Sequence, residues 1–309
     1  MASLREIRRK IKSVKSTQQI TKAMKMVAAA RLRKAQARIL SARPFAQKME
    51  ELVTDLLLLV EGKERHPLFA KREGKKRALL LVTADKGLCG AFNTNLIRQT
   101  LHYLREHGSD NVQLVVVGRK GRDYFRRMGT PIAKEYTNIF NTLSFANAEL
   151  ITRDLVEAYM AGVRPERHTT GARPPSFVAG GSDPSRLVAV DMLYNEFKSV
   201  IQQKIVTKQL LPLTPLPHVE SRDWPDFIYE PKKDQLLELL IPRFLKAQVF
   251  RALLESAAAE LGARMSAMEN ATRNASELMS SLTLRMNRTR QASITNQILE
   301  VVSGAEALK

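Results

Sequence analysis

Helix-breaking residues are confined to the middle of this chain, and that segregation constrains the fold more than any other feature of the sequence. Residues 1–61 contain no glycine and a single proline, Pro44, while residues 243–303 contain only Gly262 and no proline. Twelve of the fourteen glycines and eleven of the thirteen prolines lie between residues 62 and 241, where helices and strands have to be short. The ends therefore predict two long helices, and the middle a compact domain. A helix of about 57 residues reaches roughly 85 Å at 1.5 Å per residue, too long to be covered by the remaining domain alone.

The periodicity of the two ends says how they are covered. Leu4, Ile7, Ile11, Val14, Gln18, Thr21, Met24 or Lys25, and Ala28 recur at spacings of three and four. Leu261, Met265, Met268, Thr272, Ala275, Leu278 or Met279, Leu282, Met286, Thr289 and Ser293 repeat that rhythm. Each stripe needs a partner, and the simplest is the other one, in an antiparallel coiled coil if the middle domain joins them at one end. Gln18, Thr21, Thr272 and Thr289 stand where leucine would bury more apolar area. Two descriptions fit this weak seam: a plain helical hairpin core with polar interruptions, or a shaft that slides within a sleeve. Ser3 suits the cap of the first helix, and Pro242 the first turn of the last, after the short apolar patch Leu236–Ile241.

In the middle, residues 77–83, 112–117 and 186–193 are short runs rich in branched apolar residues and predict buried strands, with 199–211 a further candidate. Residues 91–106 and 143–160 have helical spacing, so strand and helix alternate and a parallel, Rossmann-like α/β sheet follows. The expected organisation is a coiled-coil helix over 1–61, an α/β domain over 62–231 and a second coiled-coil helix over 232–309. Residues 164–186 lack periodicity, are dense in Pro and Gly, and predict a flexible insertion.

Composition narrows the function classes. The net charge is +19, and residues 1–43 hold thirteen Lys and Arg against one acid, Glu6, so an anionic partner is met largely by that segment. Nucleic acid is one such partner, but the first aromatic residue is Phe45, so no stacking side chain is interleaved with the charges. A solvated basic face or an acidic protein lining fits equally. The most apolar run, Leu56–Val60, is far short of a membrane span, which needs about 20 residues. The start has charge but no apolar block of a secretory signal. One cysteine, Cys89, excludes an intrachain disulfide and suits a reducing compartment.

The most enzyme-like stretch is ADKGLCGAFN, residues 84–93, which follows a strand and opens a helix where α/β folds often hold phosphate. It matches neither dinucleotide nor P-loop spacing. None of the five histidines adjoins Cys89 to act as a base, and none shows metal-ligand spacing, so no catalytic residue, cofactor or metal is expected.

Residues 3–36 resemble the opening of F-type ATP synthase gamma subunits, ADKGLCGAFN resembles a second signature of that family, and ENATRNA (269–275) with residues 287–308 resembles its C-terminal signature. With WPDFIYEP (224–231), the resemblance covers nearly the whole chain except the insertion after Val163. It implies a bent coiled coil threading a ring of alternating alpha and beta subunits, an α/β domain that holds the epsilon subunit, and torque transmission to a membrane c-ring on the cytoplasmic face of a bacterial membrane. The catalytic residues would belong to other chains. By the same resemblance Met24, Lys25, Gly87, Leu88 and Cys89 face the acidic levers of the beta subunits. Arg290, Gln291 and Thr295 make the upper catch, and Phe227, Tyr229 and Glu230 form the foot on the membrane ring. Gln297 stands where many members carry a carboxylate, and Phe227 where a tyrosine is common, which leaves the foot more apolar. The insertion has no cysteine and so lacks the dithiol switch of chloroplast members.

Overall fold

The computed structural model describes residues 4–59, 68–70, 72–161, 186–199, 202–213 and 233–306. Two helices dominate: α1 (Leu4–Leu59) has 56 residues and α5 (Lys233–Glu306) has 74. The chain divides into two compact units, Met1–Arg31 with Arg264–Lys309, and Leu32–Ala263, and both long helices contribute to each.

In the first unit the stripe of α1 is turned inward: Ile7, Thr21 and Ala28 are buried, and Leu4, Ile11, Val14, Gln18, Met24 and Lys25 half-buried. From α5, Met268 and Ala275 are buried and Thr272, Met279, Leu282 and Met286 half-buried. Three polar contacts set the register. Gln18 Nε2 donates to Ser276 Oγ at 2.6 Å, the hydroxyls of Thr21 and Thr272 meet at 2.8 Å, and Lys25 Nζ lies 2.7 Å from Glu269 Oε1. Numbers rise along α1 as they fall along α5, so the pair is an antiparallel coiled coil. The structure settles one alternative of the expected stripe and corrects one member. Leu278 is exposed, Met279 taking the inward place, and Ser293 is exposed because counting back from the Gln18–Ser276 pair sets Leu4 opposite Arg290, where α1 runs out.

The second unit is a five-stranded sheet between helical layers. Strands β1 (Arg77–Val82), β2 (Val112–Val117), β3 (Ile132–Tyr136), β4 (Ala189–Phe197) and β5 (Gln203–Leu211) stand in the order β3-β2-β1-β4-β5. The first four pair in parallel and β5 pairs antiparallel to β4, so the sheet is mixed. The expected parallel sheet thus holds for β1 to β4 and gains an antiparallel edge: only five residues separate β4 from β5, room for a hairpin but not for a crossover of about a dozen residues. Leu79, Leu80, Leu81, Leu114 and Val116 are fully buried, which is why these runs are apolar on both faces.

One face carries Ala78, Leu80, Val115, Val190, Met192 and Tyr194 against Met49 and Val53 of α1, Ile151, Leu155 and Tyr159 of α4 (Phe145–Met160), and Leu237, Ile241, Leu245 and Val249 of α5. Alternate positions serve the other face, where α2 (Phe92–His107) buries Phe92, Leu96, Tyr103 and Leu104 and α3 (Arg119–Arg127) buries Phe125. A buried carboxylate ties that face together: Asp191 of β4 accepts hydrogen bonds from the Tyr103 hydroxyl and, at 3.1 Å, from Arg77 Nη1. Burial, with the neighbouring Asp191 charge, pushes the Tyr103 phenol well above its ordinary value.

Pro242 lies inside α5, not in its first turn, because the helix already begins at Lys233. An interior proline costs about 3 kcal/mol. Leu237, Ile241 and Leu245, one turn apart and all buried, each contribute about 1.5–3 kcal/mol, so the helix runs through. On the sheet, Arg72 Nη1 donates to the carbonyls of both Tyr159 (2.6 Å) and Leu187 (3.2 Å), and its guanidinium carbon sits 3.8 Å over the Tyr159 ring. Ser3 and residues 164–185 lie outside the described residues.

Candidate functional site

Among the described residues, no three His, Cys, Asp or Glu side chains gather as a metal site would require, and no helix is long and apolar enough to cross a membrane. What the chain offers is surface for partners.

In the first unit, Lys25 is engaged by its own chain. Its ammonium pairs with Glu269, both side chains being partly exposed, and that hydrogen bond and charge hold the Glu269 carboxyl below the usual glutamate range. Met24 beside it is half-buried, whereas Ile20, Met26 and Val27 are more than half exposed. Apolar side chains and cations thus share the outer face of α1. Arg290, Gln291 and Thr295 are all exposed on α5, past the point where α1 covers it. Every residue from Gln291 to Gly304 is exposed, including Ile294, Ile298, Leu299, Val301 and Val302, the valine at 301 by 72%. The site expected from sequence left these five out; their apolar character beyond the paired region is the feature that marks them.

In the second unit, Gly87, Leu88 and Cys89 sit together on the loop from β1 to α2, at the carboxyl edge of the sheet. Leu88 is 64% exposed and holds φ at 63°, a left-handed conformation uncommon for leucine; Gly90 follows at 57°. Cys89 is buried beneath, with its Sγ accepting a hydrogen bond from Asn93 Nδ2 at 3.1 Å. Asn93 Oδ1 in turn accepts from the Ala84 amide at 2.9 Å. Asp85 Oδ1 accepts from the amides of Arg119 (3.1 Å) and Asn138 (2.9 Å). Lys120 N donates to Ala84 O at 3.1 Å, and Gly121 N to Thr83 Oγ1 at 3.0 Å. The first amides of α3 are therefore occupied by the chain itself. Asp85 and Asn93 have no spacing signature, because their partners, amides and the Cys89 thiol, are brought near by the fold. Phe227, Tyr229 and Glu230 lie outside the described residues.

An antiparallel coiled coil with cations along α1 and an exposed apolar stretch at the end of α5 defines a shaft-like subunit. The family model for ATP synthase matches residues 3–308. The ATP synthase gamma chain of Moorella thermoacetica is 46% identical over 310 residues, and that of Anaeromyxobacter sp. (strain Fw109-5) 46% over 313, each alignment covering 100% of both chains. Among solved structures, the Tetrahymena thermophila mitochondrial ATP synthase central stalk/c-ring matches with a TM-score of 0.54 and 26% identity, over 82% of this chain and 99% of that one. A chain of the Euglena gracilis mitochondrial ATP synthase in rotational state 3 shares the fold with a TM-score of 0.64 and 20% identity, over 99% and 94%. The chain belongs to the ATP synthase gamma chain family.

Proposed function

We propose that this chain is the central stalk of a rotary F1Fo ATP synthase, passing torque between a proton-driven c-ring and a catalytic ring of alpha and beta subunits, and that it holds no catalytic residue or cofactor itself. The observation that carries this reading is the end of α5, where Ile294, Ile298, Leu299, Val301 and Val302 stand exposed around a helix with no partner among the described residues. Apolar surface of that extent calls for a protein sleeve. Central-stalk and rotor chains among the solved neighbours support the same role. Rotation of an asymmetric rigid body within a ring is enough to drive the ring's subunits through different states.

Within that role, residues 1–61 and 232–309 form the shaft and 62–231 the domain that carries the epsilon subunit. Met24, Lys25 and the Gly87–Cys89 loop meet the acidic levers of the beta subunits. Arg290, Gln291 and Thr295 make the upper catch, and Phe227, Tyr229 and Glu230 the foot on the c-ring. The protein is peripheral, on the cytoplasmic face of a bacterial membrane; the bacterial relatives and the lack of a spanning helix among the described residues are consistent with this. Nucleic-acid binding finds no support, since the relatives are ATP synthase gamma chains.

The test is reconstitution with cognate alpha and beta subunits, which should give one assembly with ATPase activity. With the membrane sector added, Lys25→Glu/Glu269→Lys keeps the internal ion pair but moves the cation to the other helix. ATP-driven proton pumping should fall while helical content stays the same; undiminished pumping would remove the lever assignment of Lys25.

A further inference from the structure

We propose that Asn93 and Asp85 are positioning residues for the coupling contact: together they hold the β1–α2 loop so that Leu88 is already in the conformation in which it meets the beta levers. The inference rests on the assignment of the Gly87–Cys89 loop to those levers. Leu88 combines two unfavourable features. Its φ of 63° is disfavoured for a residue with a branched side chain, and 64% of its surface faces solvent. Such a conformation persists only where its surroundings over-determine it, and it is found where a contact is made with another molecule.

The surroundings are two straps. Asn93, in the first turn of α2, takes the Ala84 amide on its carbonyl oxygen at 2.9 Å and gives its amide to Cys89 Sγ at 3.1 Å, closing the loop from its entry to its exit. Asp85 reaches away from the loop, accepting from Arg119 N at 3.1 Å and Asn138 N at 2.9 Å, so it fixes the loop to the turns after β2 and β3. Asn138 is itself left-handed, with φ at 64°, which aims its amide at that carboxylate. Between the straps Cys89 is 1% exposed and anchors the far side of Leu88 in the core. A loop ordered before contact loses no conformational freedom when the partner arrives, so its docking energy remains available for coupling.

Cys89 is the only thiol of the chain, so its alkylation by N-ethylmaleimide reads the opening of this loop and nothing else. In the full-length wild-type chain, alkylation should be slow. Asn93→Ala and, independently, Asp85→Ala should each speed it by about tenfold or more, with little change in helical content. Asp85→Asn, which keeps an acceptor oxygen for both amides, should return alkylation toward the wild-type rate. In the reconstituted synthase the two alanine variants should lower the ratio of protons pumped to ATP hydrolysed severalfold, and Asp85→Asn should recover it. Unchanged alkylation in both alanine variants overturns the proposal, as does faster alkylation with an unchanged ratio while Leu88→Asp lowers that ratio. If Leu88→Asp also leaves the ratio unchanged, the lever assignment itself fails.

Discussion

At Gly118 the backbone passes so close to Thr83 that no other residue fits. Its φ is 95°, and a Cβ built there would lie 2.1 Å from the Thr83 carbonyl oxygen, inside any permissible contact. Gly118→Ala should therefore destabilise the sheet unit by about 2–4 kcal/mol, from left-handed strain plus displacement of the β1 end. Chemical denaturation of the full chain measures this, and a loss under about 0.5 kcal/mol would mean the two strand ends part freely. Glu269 makes a different kind of prediction. Its carboxyl is held low by Lys25, so the ion pair adds stability above the unfolded glutamate value and loses it as pH falls through the lower folded value. Glu269→Gln should melt slightly below wild type at neutral pH, and the gap should close on acidification below about 4.3. A gap that persists in acid would assign the effect to packing instead.

Among the elements, α5 carries an avoidable cost. Pro242 interrupts its hydrogen bonding nine residues from the start, and flanking apolar burial carries the helix across. Pro242→Ala should raise the melting temperature, the gain being about 1–3 kcal/mol from the restored amide. A fall would show that the ring itself packs usefully. The legibility of the sequence followed the same physics. The long helices showed in the absence of breakers and in a stripe that α1 keeps from Leu4 to Ala28, and β1, β2 and β4 showed as apolar runs because both their faces are buried. Strand β3, Ile132–Tyr136, was missed: its three central residues are exposed at the sheet edge, so no apolar run marks it. Helix α3 was missed because only Gly121 and Phe125 are buried among six charged residues. The direction of β5 is not written in its composition, and neither are the straps, since Asp85 acts on backbone amides distant in sequence and Asn93 on an amide and a thiol that only the turn of the loop brings to it. For the candidate site, sequence supplied the loop and the basic helix face through a family resemblance, while the conformation of Leu88 and the bare apolar end of α5 needed the backbone.

For the molecule as a whole, the distribution of charge governs how it meets partners more than how it folds. A net +19, with thirteen cations in the first 43 residues, creates a field that attracts acidic surfaces before contact. Association with alpha and beta subunits should slow markedly as salt is raised, while the stability of the finished assembly changes less, since apolar contacts at the α5 end are not screened. Stopped-flow assembly at low and high ionic strength distinguishes the two, and a salt-independent rate would remove electrostatic steering from the account. The Arg72 clasp has an outcome of another sort. Because one guanidinium nitrogen grips the carbonyls of Tyr159 and Leu187, the polypeptide departs for residues 162–185 and returns at a single pinned doorway. Segments of very different length can be spliced in there without disturbing α4 on one side or β4 on the other, which makes this the natural place to attach a fluorophore or a bead for watching a single molecule turn.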